Sequence, residues 1–382
     1  MDKNQLEEAF QNGTIRAVTI DTNIFHRQQQ NLESEAMSLI PQLGVANLRF
    51  IISDVVLREI HKHLDKKYTE ATQEDSKALS RIAGLVSPRL SEALTKEVAA
   101  RPRDAQADVG AFVERTGAIV IKPTGEDTLQ SMLDRYFKGE PPFGEKKKTE
   151  FPDAIALLSI EQWAKTENAK VLCISNDGDW KSYCDTNDQL ICVDDLELVL
   201  SAASACITDE SVSRLVESAV QKLIASGDLV DKIRHVFQDQ IERRSPTIEA
   251  DSHLSFEEED VEVAIDGDSL QVHSTDLLSV KDETAVVRLR VEASVNCSAT
   301  FQFSVYDSID KDYVGLGGSR LETSEQVEAD IFFHFDLEEL RSGKKLQLSE
   351  DDIVEASAKV DSYIVDFGPI LPDDDDDNDW RE

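Results

Sequence analysis

The sequence predicts an α/β fold for residues 1–205, with a parallel sheet between layers of helices. Short apolar runs rich in Val and Ile recur in this region, as in strands that are buried on both faces. Stretches with helical spacing separate these runs, and the alternation is typical of a three-layer domain built on a parallel sheet. From about residue 261 apolar and polar residues alternate instead, which predicts a smaller β-rich domain.

Each element of the first region has a local signal. The expected strands lie near residues 16–20, 48–52, 118–122, 170–175 and 190–194. Helices are expected over about 34–45, after the capping pair Ser53-Asp54, from Pro152 to about Lys165, and after Asp194-Asp195. The helix that starts at Pro152 is expected to be amphipathic. Residues 65–117 are polar and helix-favouring, which predicts a helical insertion.

The segment 123–150 contains a Gly- and Pro-rich stretch, which predicts a loop rather than a helix. Loops of this length in compact domains are usually functional or disordered. This one carries three consecutive lysines, Lys146, Lys147 and Lys148, which offer a phosphate-binding patch.

The second half of the chain divides into three segments. Residues 206–260 predict a helical segment and a linker, with the polar linker at about 246–262. Residues 261–371 predict the β-rich domain, either a small β-sandwich or another β-rich arrangement. Residues 372–382 form an acidic tail whose composition predicts disorder.

The charge is strongly negative and unevenly distributed, with a net −36 for the chain. Residues 1–200 carry 24 Lys and Arg against 33 Asp and Glu, whereas residues 201–382 carry 16 against 43. The second half is therefore a poor surface for nucleic acid, because phosphate binding needs positive charge. The acidity serves solubility, or it forms a docking surface for a basic protein partner.

Composition excludes several other classes of protein. The five cysteines include no CxxC pair, which argues against a zinc site or a disulfide framework. No apolar stretch approaches the roughly 20 residues of a membrane span, and the N-terminus lacks the features of a secretory signal. We expect a cytoplasmic protein without a membrane partner, and a homo-oligomer remains open.

Five acidic residues follow or face the predicted strand ends: Asp21, Glu59, Asp153, Asp177 and Asp179. Open parallel sheets bind ligands where the carboxyl ends of their strands meet. Carboxylates gathered at that edge repel each other unless a cation holds them, and hard oxygen ligands suit Mg²⁺ or Mn²⁺. The sequence therefore predicts a divalent-metal site at this edge.

Each acid also has a purely structural interpretation. Asp21 is in a position to cap a helix, Glu59 to face solvent, and Asp153 to complement a helix dipole. The Asp177-Gly178-Asp179 sequence is also typical of an ordinary turn. The joint occurrence of all five favours the metal site, and Asn23 is placed to support Asp21.

Four motifs, in this order, resemble the PIN-domain family of metal-dependent ribonucleases. They are IDTNIF with Asp21, SDVVLREI with Glu59, FPDAIAL with Asp153, and SNDGDW with Asp177 and Asp179. The resemblance covers about residues 15–205 and is closest to larger PIN-like bacterial proteins with a C-terminal extension. The long insertion and the acidic second half depart from the compact toxins of toxin–antitoxin pairs.

The resemblance implies an endoribonuclease that hydrolyses single-stranded RNA with a metal-activated water, leaving a 5′-phosphate and a 3′-hydroxyl. Asp21, Asp153 and Asp177 are implied as the main ligands of one or two Mg²⁺ or Mn²⁺ ions. Glu59 and Asp179 would bind a second ion or orient the water. Asn23 would not bind the metal itself but would tune the ligand Asp21. Lys146, Lys147 and Lys148 would supply positive charge for the RNA backbone.

Three other classes of protein share part of this pattern. A haloacid-dehalogenase phosphatase needs a second Asp two residues after the first, and Asn23 occupies that place. A catalytically silent PIN-like scaffold would bind RNA or a partner protein. A DNA-directed nuclease in a phage-defence system would keep the same acids, and no base-stacking aromatic cluster is visible within residues 1–205 to separate RNA from DNA.

Overall fold

The fold is described from a computed structural model. It describes residues 1–99, 103–123, 126–143, 151–208, 210–281, 283–307, 311–338 and 348–372. Lys146, Lys147, Lys148 and residues 373–382 of the acidic tail lie outside these ranges. The chain forms two compact units, Met1–Asp209 and Glu210–Glu382. Within the described ranges, no helix has both the length and the apolar character that crossing a membrane requires.

The first unit is a three-layer α/β domain. Its strands are β1 (Ile15–Ile20), β2 (Arg49–Ser53), β3 (Ile119–Ile121), β4 (Lys170–Ile174) and β5 (Leu190–Val193). Its helices are α1 (Lys3–Gln11), α2 (Thr22–Arg27), α3 (Glu35–Leu39), α4 (Gln42–Val45), α5 (Asp54–Ala83), α6 (Pro88–Ala99), α7 (Ala105–Thr116), α8 (Glu126–Lys138), α9 (Phe151–Glu167), α10 (Gly178–Asp185) and α11 (Leu196–Ile207). The predicted fold class is confirmed.

The strand order of this sheet, β3-β2-β1-β4-β5, positions the functional residues. All neighbouring strands pair in parallel. The chain moves from β1 outward to β3 and then returns to the other side of β1, so the order reverses between β1 and β4. Ile20 pairs with Ile174 at the ends of these two strands. The residues that follow them therefore flank the crevice in which open α/β sheets bind ligands.

Three local predictions for this unit are wrong. The helix expected at 34–45 is two short helices, α3 and α4, interrupted at Pro41, which has no N–H to continue the first. The loop expected at 123–150 contains the 13-residue helix α8. Finally, α9 is not amphipathic, because its first half is buried on nearly all sides.

Residues 65–117 are largely helical, but they do not begin as a separate element. They continue α5, a 30-residue helix that starts directly after β2 with Ser53 as its cap. The buried side chains of α5 all lie in its first third: Val56, Leu57, Ile60 and Leu64. The remaining turns extend beyond the core.

The second unit places two helices against an antiparallel sheet. The helices are α12 (Glu210–Ser226) and α13 (Val230–Arg243). The strands are β6 (Thr247–Asp251), β7 (Ser255–Ile265), β8 (Gln271–Lys281), β9 (Thr284–Asp307), β10 (Asp312–Asp336), β11 (Ile353–Val360) and β12 (Ile364–Pro369). The main sheet has the order β11-β10-β9-β7 with β8 also pairing with β9, while β12 and β6 form a separate parallel pair.

The alternating pattern that predicted this sheet has a direct physical basis. Alternate residues of β9 are buried in one apolar core with Val220 and Ile233 of α12 and α13, so the helices cover one face of the sheet. The second unit is therefore a sheet covered by helices on one face, rather than a simple β-sandwich of two packed sheets. The linker expected at 246–262 is also wrong, because β6 and most of β7 occupy it.

Candidate metal centre at the carboxyl edge of the sheet

Asp21 lies at the switch point of the parallel sheet. It directly follows β1, its backbone N–H donates to the Ile174 carbonyl at 3.0 Å, and its carboxylate caps α2. The carboxylate accepts hydrogen bonds from the Thr22 backbone N–H at 2.5 Å and from the Ser175 hydroxyl at 2.7 Å. Only 5% of the residue is exposed. The two hydrogen-bond donors of this buried carboxylate, the Thr22 N–H and the Ser175 hydroxyl, are thus both electrically neutral.

Ser175, the first residue after β4, joins the two strand ends. Its hydroxyl oxygen donates to Asp21 and accepts from the Asn23 side-chain amide at 3.0 Å. It also accepts from the Asp177 backbone N–H at 3.0 Å. A serine hydroxyl has one hydrogen to donate and two lone pairs. All three are used, so Ser175 fixes the carboxylate, the amide and the following turn relative to one another.

Burial raises the pKa of Asp21 from 3.8 to about 7, and the hydrogen bond from Ser175 opposes this rise. The neighbouring charges of Asp153 and Asp177 contribute to the same rise. The three carboxylates are thus close enough to repel one another. An anion in this position requires either a proton or a cation.

Glu59 approaches the same edge from α5. Its carboxylate accepts a hydrogen bond from the Thr22 hydroxyl at 2.7 Å. Thr22 also gives its backbone N–H to Asp21, so one residue holds both carboxylates. Asp54, at the start of α5, pairs instead with Arg58 at 2.8 Å.

Asp153 and Asp177 are linked through α10. Asp177 caps this helix by accepting the Asp179 backbone N–H at 2.6 Å. The buried Trp180 on α10 donates its indole N–H to Asp153 at 2.9 Å, in the first turn of α9. Asp177, Asp179 and Asp153 are each partly exposed and therefore accessible from solvent.

The five sequence-predicted acids are thus on or beside the carboxyl edge, but they do not form a closed cage. Among the residues that the structure describes, no three or more His, Cys, Asp or Glu side chains are arranged to hold a metal ion. Mutual repulsion of carboxylates accounts for such an open arrangement. The sequence predicted no function for Ser175, Thr22 or Trp180. Thr22 and Trp180 directly follow predicted acids and Ser175 lies two residues before one, so proximity in the sequence was the signal available for them.

The fold and this edge together define an α/β domain with an acidic site at its topological switch point. Residues 18–180 match the family model of the PIN domain. The matched residues cover less than half of the chain and lie in the N-terminal unit, where they support the PIN-domain assignment that the sequence motifs predicted. PIN domains are generally nucleases, and they generally use divalent metals. No curated protein matches the chain.

Proposed function

We propose that this protein is a divalent-metal-dependent endoribonuclease that hydrolyses single-stranded RNA at the carboxyl edge of its PIN domain. The observation that carries the proposal is the buried Asp21 carboxylate. It faces Asp153 and Asp177, and both of these charges raise its pKa. A divalent cation would offset this concentration of negative charge and would stabilise the ionised form of all three groups.

The donor set fits Mg²⁺ or Mn²⁺, because these ions prefer carboxylate and other oxygen ligands. Asp21, Asp153 and Asp177 would hold the ion, while Glu59 and Asp179 would bind a second ion or an attacking water. A bound ion would supply Lewis acidity, polarising the phosphate and making a water more acidic.

The remaining residues of the centre would keep these ligands oriented. Ser175 holds one oxygen of Asp21, and Asn23 holds Ser175, so the carboxylate cannot rotate freely. Thr22 directs Glu59 toward the same side. Partners of this kind typically change metal affinity or activity 10- to 100-fold when they are removed.

Single-stranded RNA is the favoured substrate because an open acidic edge admits an extended backbone more readily than a rigid duplex. Lys146, Lys147 and Lys148 remain proposed phosphate contacts. The rings of Phe143 and Phe151, which flank the segment 144–150, are 5.3 Å apart. Phe151 begins α9, and Asp153 lies in the first turn of the same helix.

Cleavage of labelled oligonucleotides by the full chain tests the proposal. The substrates are single-stranded RNA, single-stranded DNA and duplex RNA of one sequence, each incubated with Mn²⁺ or with EDTA. Wild type should cut the single-stranded RNA only with the metal. Asp177→Asn should lower the rate by at least about 100-fold, since it removes a ligand rather than an outer partner.

Asp185→Asn is the matched control, because Asp185 is an exposed acid at the other end of α10. This variant should cleave at the wild-type rate. Equal cleavage by Asp177→Asn and wild type would refute the assignment, and preferential cutting of DNA would redirect it to a DNA nuclease. RNA binding without cleavage, together with no thermal stabilisation by Mn²⁺, would identify a silent scaffold.

A further inference from the structure

Four aromatic residues, the adjacent Tyr136 and Phe137 and the more distant Phe143 and Phe151, meet beside the candidate metal centre. The Tyr136 ring lies 5.3 Å from Phe137, 5.4 Å from Phe143 and 5.2 Å from Phe151, measured between centroids. Phe143 is buried, whereas Phe137 is 81% exposed and Phe151 is 36% exposed. The cluster therefore has a buried anchor and an outer surface, although the sequence showed no aromatic cluster in this region.

The cluster is next to the proposed chemistry. Phe151 is the first residue of α9, and Asp153 follows two positions later in the same turn. The planes of Tyr136 and Phe151 are inclined by only 30°, so the pair presents similarly oriented faces. A polymer whose phosphate lies at Asp153 has its neighbouring bases within reach of these rings.

Packing within the described structure does not account for Phe137, because most of its ring stays in contact with solvent. Burying a Phe side chain contributes about 1.5–3 kcal/mol, most of which a ring this exposed does not gain. Phe137 contacts Tyr136, which in turn contacts Phe151, so the three rings form one contiguous apolar surface. Contiguous apolar surface of this kind commonly marks a binding site.

We propose that Tyr136, Phe137 and Phe151 form an aromatic platform on which unpaired bases of a single-stranded nucleic acid stack next to Asp153. The proposal rests on the proposed function for the polymer's presence at this edge. Aromatic faces accept bases that are free to leave their own stack, so the platform selects single strands over duplexes. The exposed Lys138 beside Phe137 adds a positive charge for the backbone.

Oligonucleotide binding in EDTA tests the platform without cleavage. The probe is an unstructured, fluorescently labelled 12-mer RNA, and its affinity is measured by anisotropy for wild type and Phe137→Ala. Removing one stacking ring should weaken binding roughly 5- to 150-fold, the equivalent of about 1–3 kcal/mol per base. Phe137→Trp should restore the affinity, and its added emission should be quenched by the RNA.

Two controls separate stacking from general apolar contact. Leu129→Ala removes an exposed apolar side chain from the same helix and should bind as wild type does. An abasic strand of equal length keeps the phosphates but has no bases, so Phe137→Ala should not change its binding. Equal weakening by the Leu129 and Phe137 variants, or an unchanged affinity for Phe137→Ala, would overturn the platform.

The result is distinguishable from failure of the proposed function. If stacking is observed but wild type with Mn²⁺ cleaves nothing, the platform stands and the nuclease assignment fails. If cleavage depends on Asp177 but Phe137→Ala binds as wild type does, the nuclease stands and the platform is wrong.

Discussion

Asp21 in the first unit and Asp276 and Asp330 in the second are all less than a tenth exposed, but their surroundings differ. Asp21 has the carboxylates of Asp153 and Asp177 as charged neighbours. Asp276 and Asp330 lie beside cations. The fully buried Arg288 donates to Asp276 at 2.8 Å, and Lys359 lies 3.2 Å from Asp330.

The strand register explains the second arrangement. Arg288 on β9 is directly opposite Asp276 on β8, and Asp330 on β10 is opposite both Arg290 and Lys359 on its two neighbours. Cross-strand pairing thus places opposite charges together inside the sheet. The comparison indicates that the buried charges of the second unit are compensated within the chain, whereas the charge of Asp21 would need the external cation of the proposed function.

The largest expected effect comes from breaking the compensated network. Arg288→Met should lower the free energy of unfolding of the second unit by about 3–5 kcal/mol, because two buried carboxylates lose a partner. Hydrogen exchange of the β9 amides measures this loss. Arg320→Met is the control, since Arg320 is half exposed and its pair with Glu262 should contribute less than about 1 kcal/mol. Equal effects of the two variants would contradict the distinction between buried and exposed pairs.

A second prediction concerns the uncompensated carboxylate and pH. The folded pKa of Asp21, about 7, is above its ordinary 3.8, so the metal-free folded protein keeps a proton that the unfolded chain has released. The free energy of unfolding should therefore fall as the pH rises from about 4 through 7, by up to about 1.4 kcal/mol per unit.

Asp21→Asn should lack this slope in EDTA, and saturating Mn²⁺ should flatten it in wild type. Urea unfolding at pH 5 and pH 8, followed by the emission of Trp163 and Trp180, measures both. Parallel slopes for wild type and the variant in EDTA would show that Asp21 is not the titrating group.

A third prediction concerns the Ser175 hydroxyl, whose hydrogen and two lone pairs all take part in hydrogen bonds. Ser175→Ala removes one donated and two accepted hydrogen bonds and leaves the buried Asp21 without one of its donors, which should cost about 1–3 kcal/mol. Mn²⁺ affinity, from thermal shift titrations, should fall about 10- to 100-fold. Ser182→Ala removes an exposed hydroxyl that bonds only within α10, and it should change stability by less than about 0.5 kcal/mol. Unchanged Mn²⁺ affinity in Ser175→Ala would show that Ser175 does not orient Asp21 for metal binding.

A fourth prediction, with a smaller expected loss of stability and activity, concerns the hydrogen bond between Thr22 and Glu59. Thr22→Val keeps the backbone bond to Asp21 but frees Glu59 from its hydroxyl partner, at a cost of about 1 kcal/mol. Cleavage should fall less than in Ser175→Ala, because only the outer carboxylate loses orientation. If Thr22→Val lowers the cleavage rate more than Ser175→Ala does, Glu59 is one of the main metal ligands.

The sequence predicted the parallel strands to within one or two residues, because short runs such as Val171–Ile174 are apolar throughout and bounded by polar residues. It also predicted that Asp21 and Asp177 follow strands and therefore share an edge. These inferences need only local pattern and the general geometry of parallel sheets.

The contacts within the centre could not be predicted in this way. Ser175 meets Asp21 across 154 positions, and the bond depends on the pairing of Ile20 with Ile174. The proposed aromatic platform likewise depends on α8. The sequence did not predict this helix, because the Gly- and Pro-rich stretch that follows it indicated a loop. Register and helix packing bring such residues together, and neither is visible in a single linear pattern.

The long helix α5 has one further consequence. At 1.5 Å per residue it is roughly 45 Å long, yet its buried side chains end at Leu64. Glu59 lies in the anchored part of the helix, whereas beyond Tyr68, which packs against the core, the distal turns lack core contacts that would resist fraying. A protease cut near Gly84, or a change in the length of these distal turns, is therefore expected to leave the carboxyl edge of the sheet undisturbed, so this part of α5 is free to diverge in sequence and length.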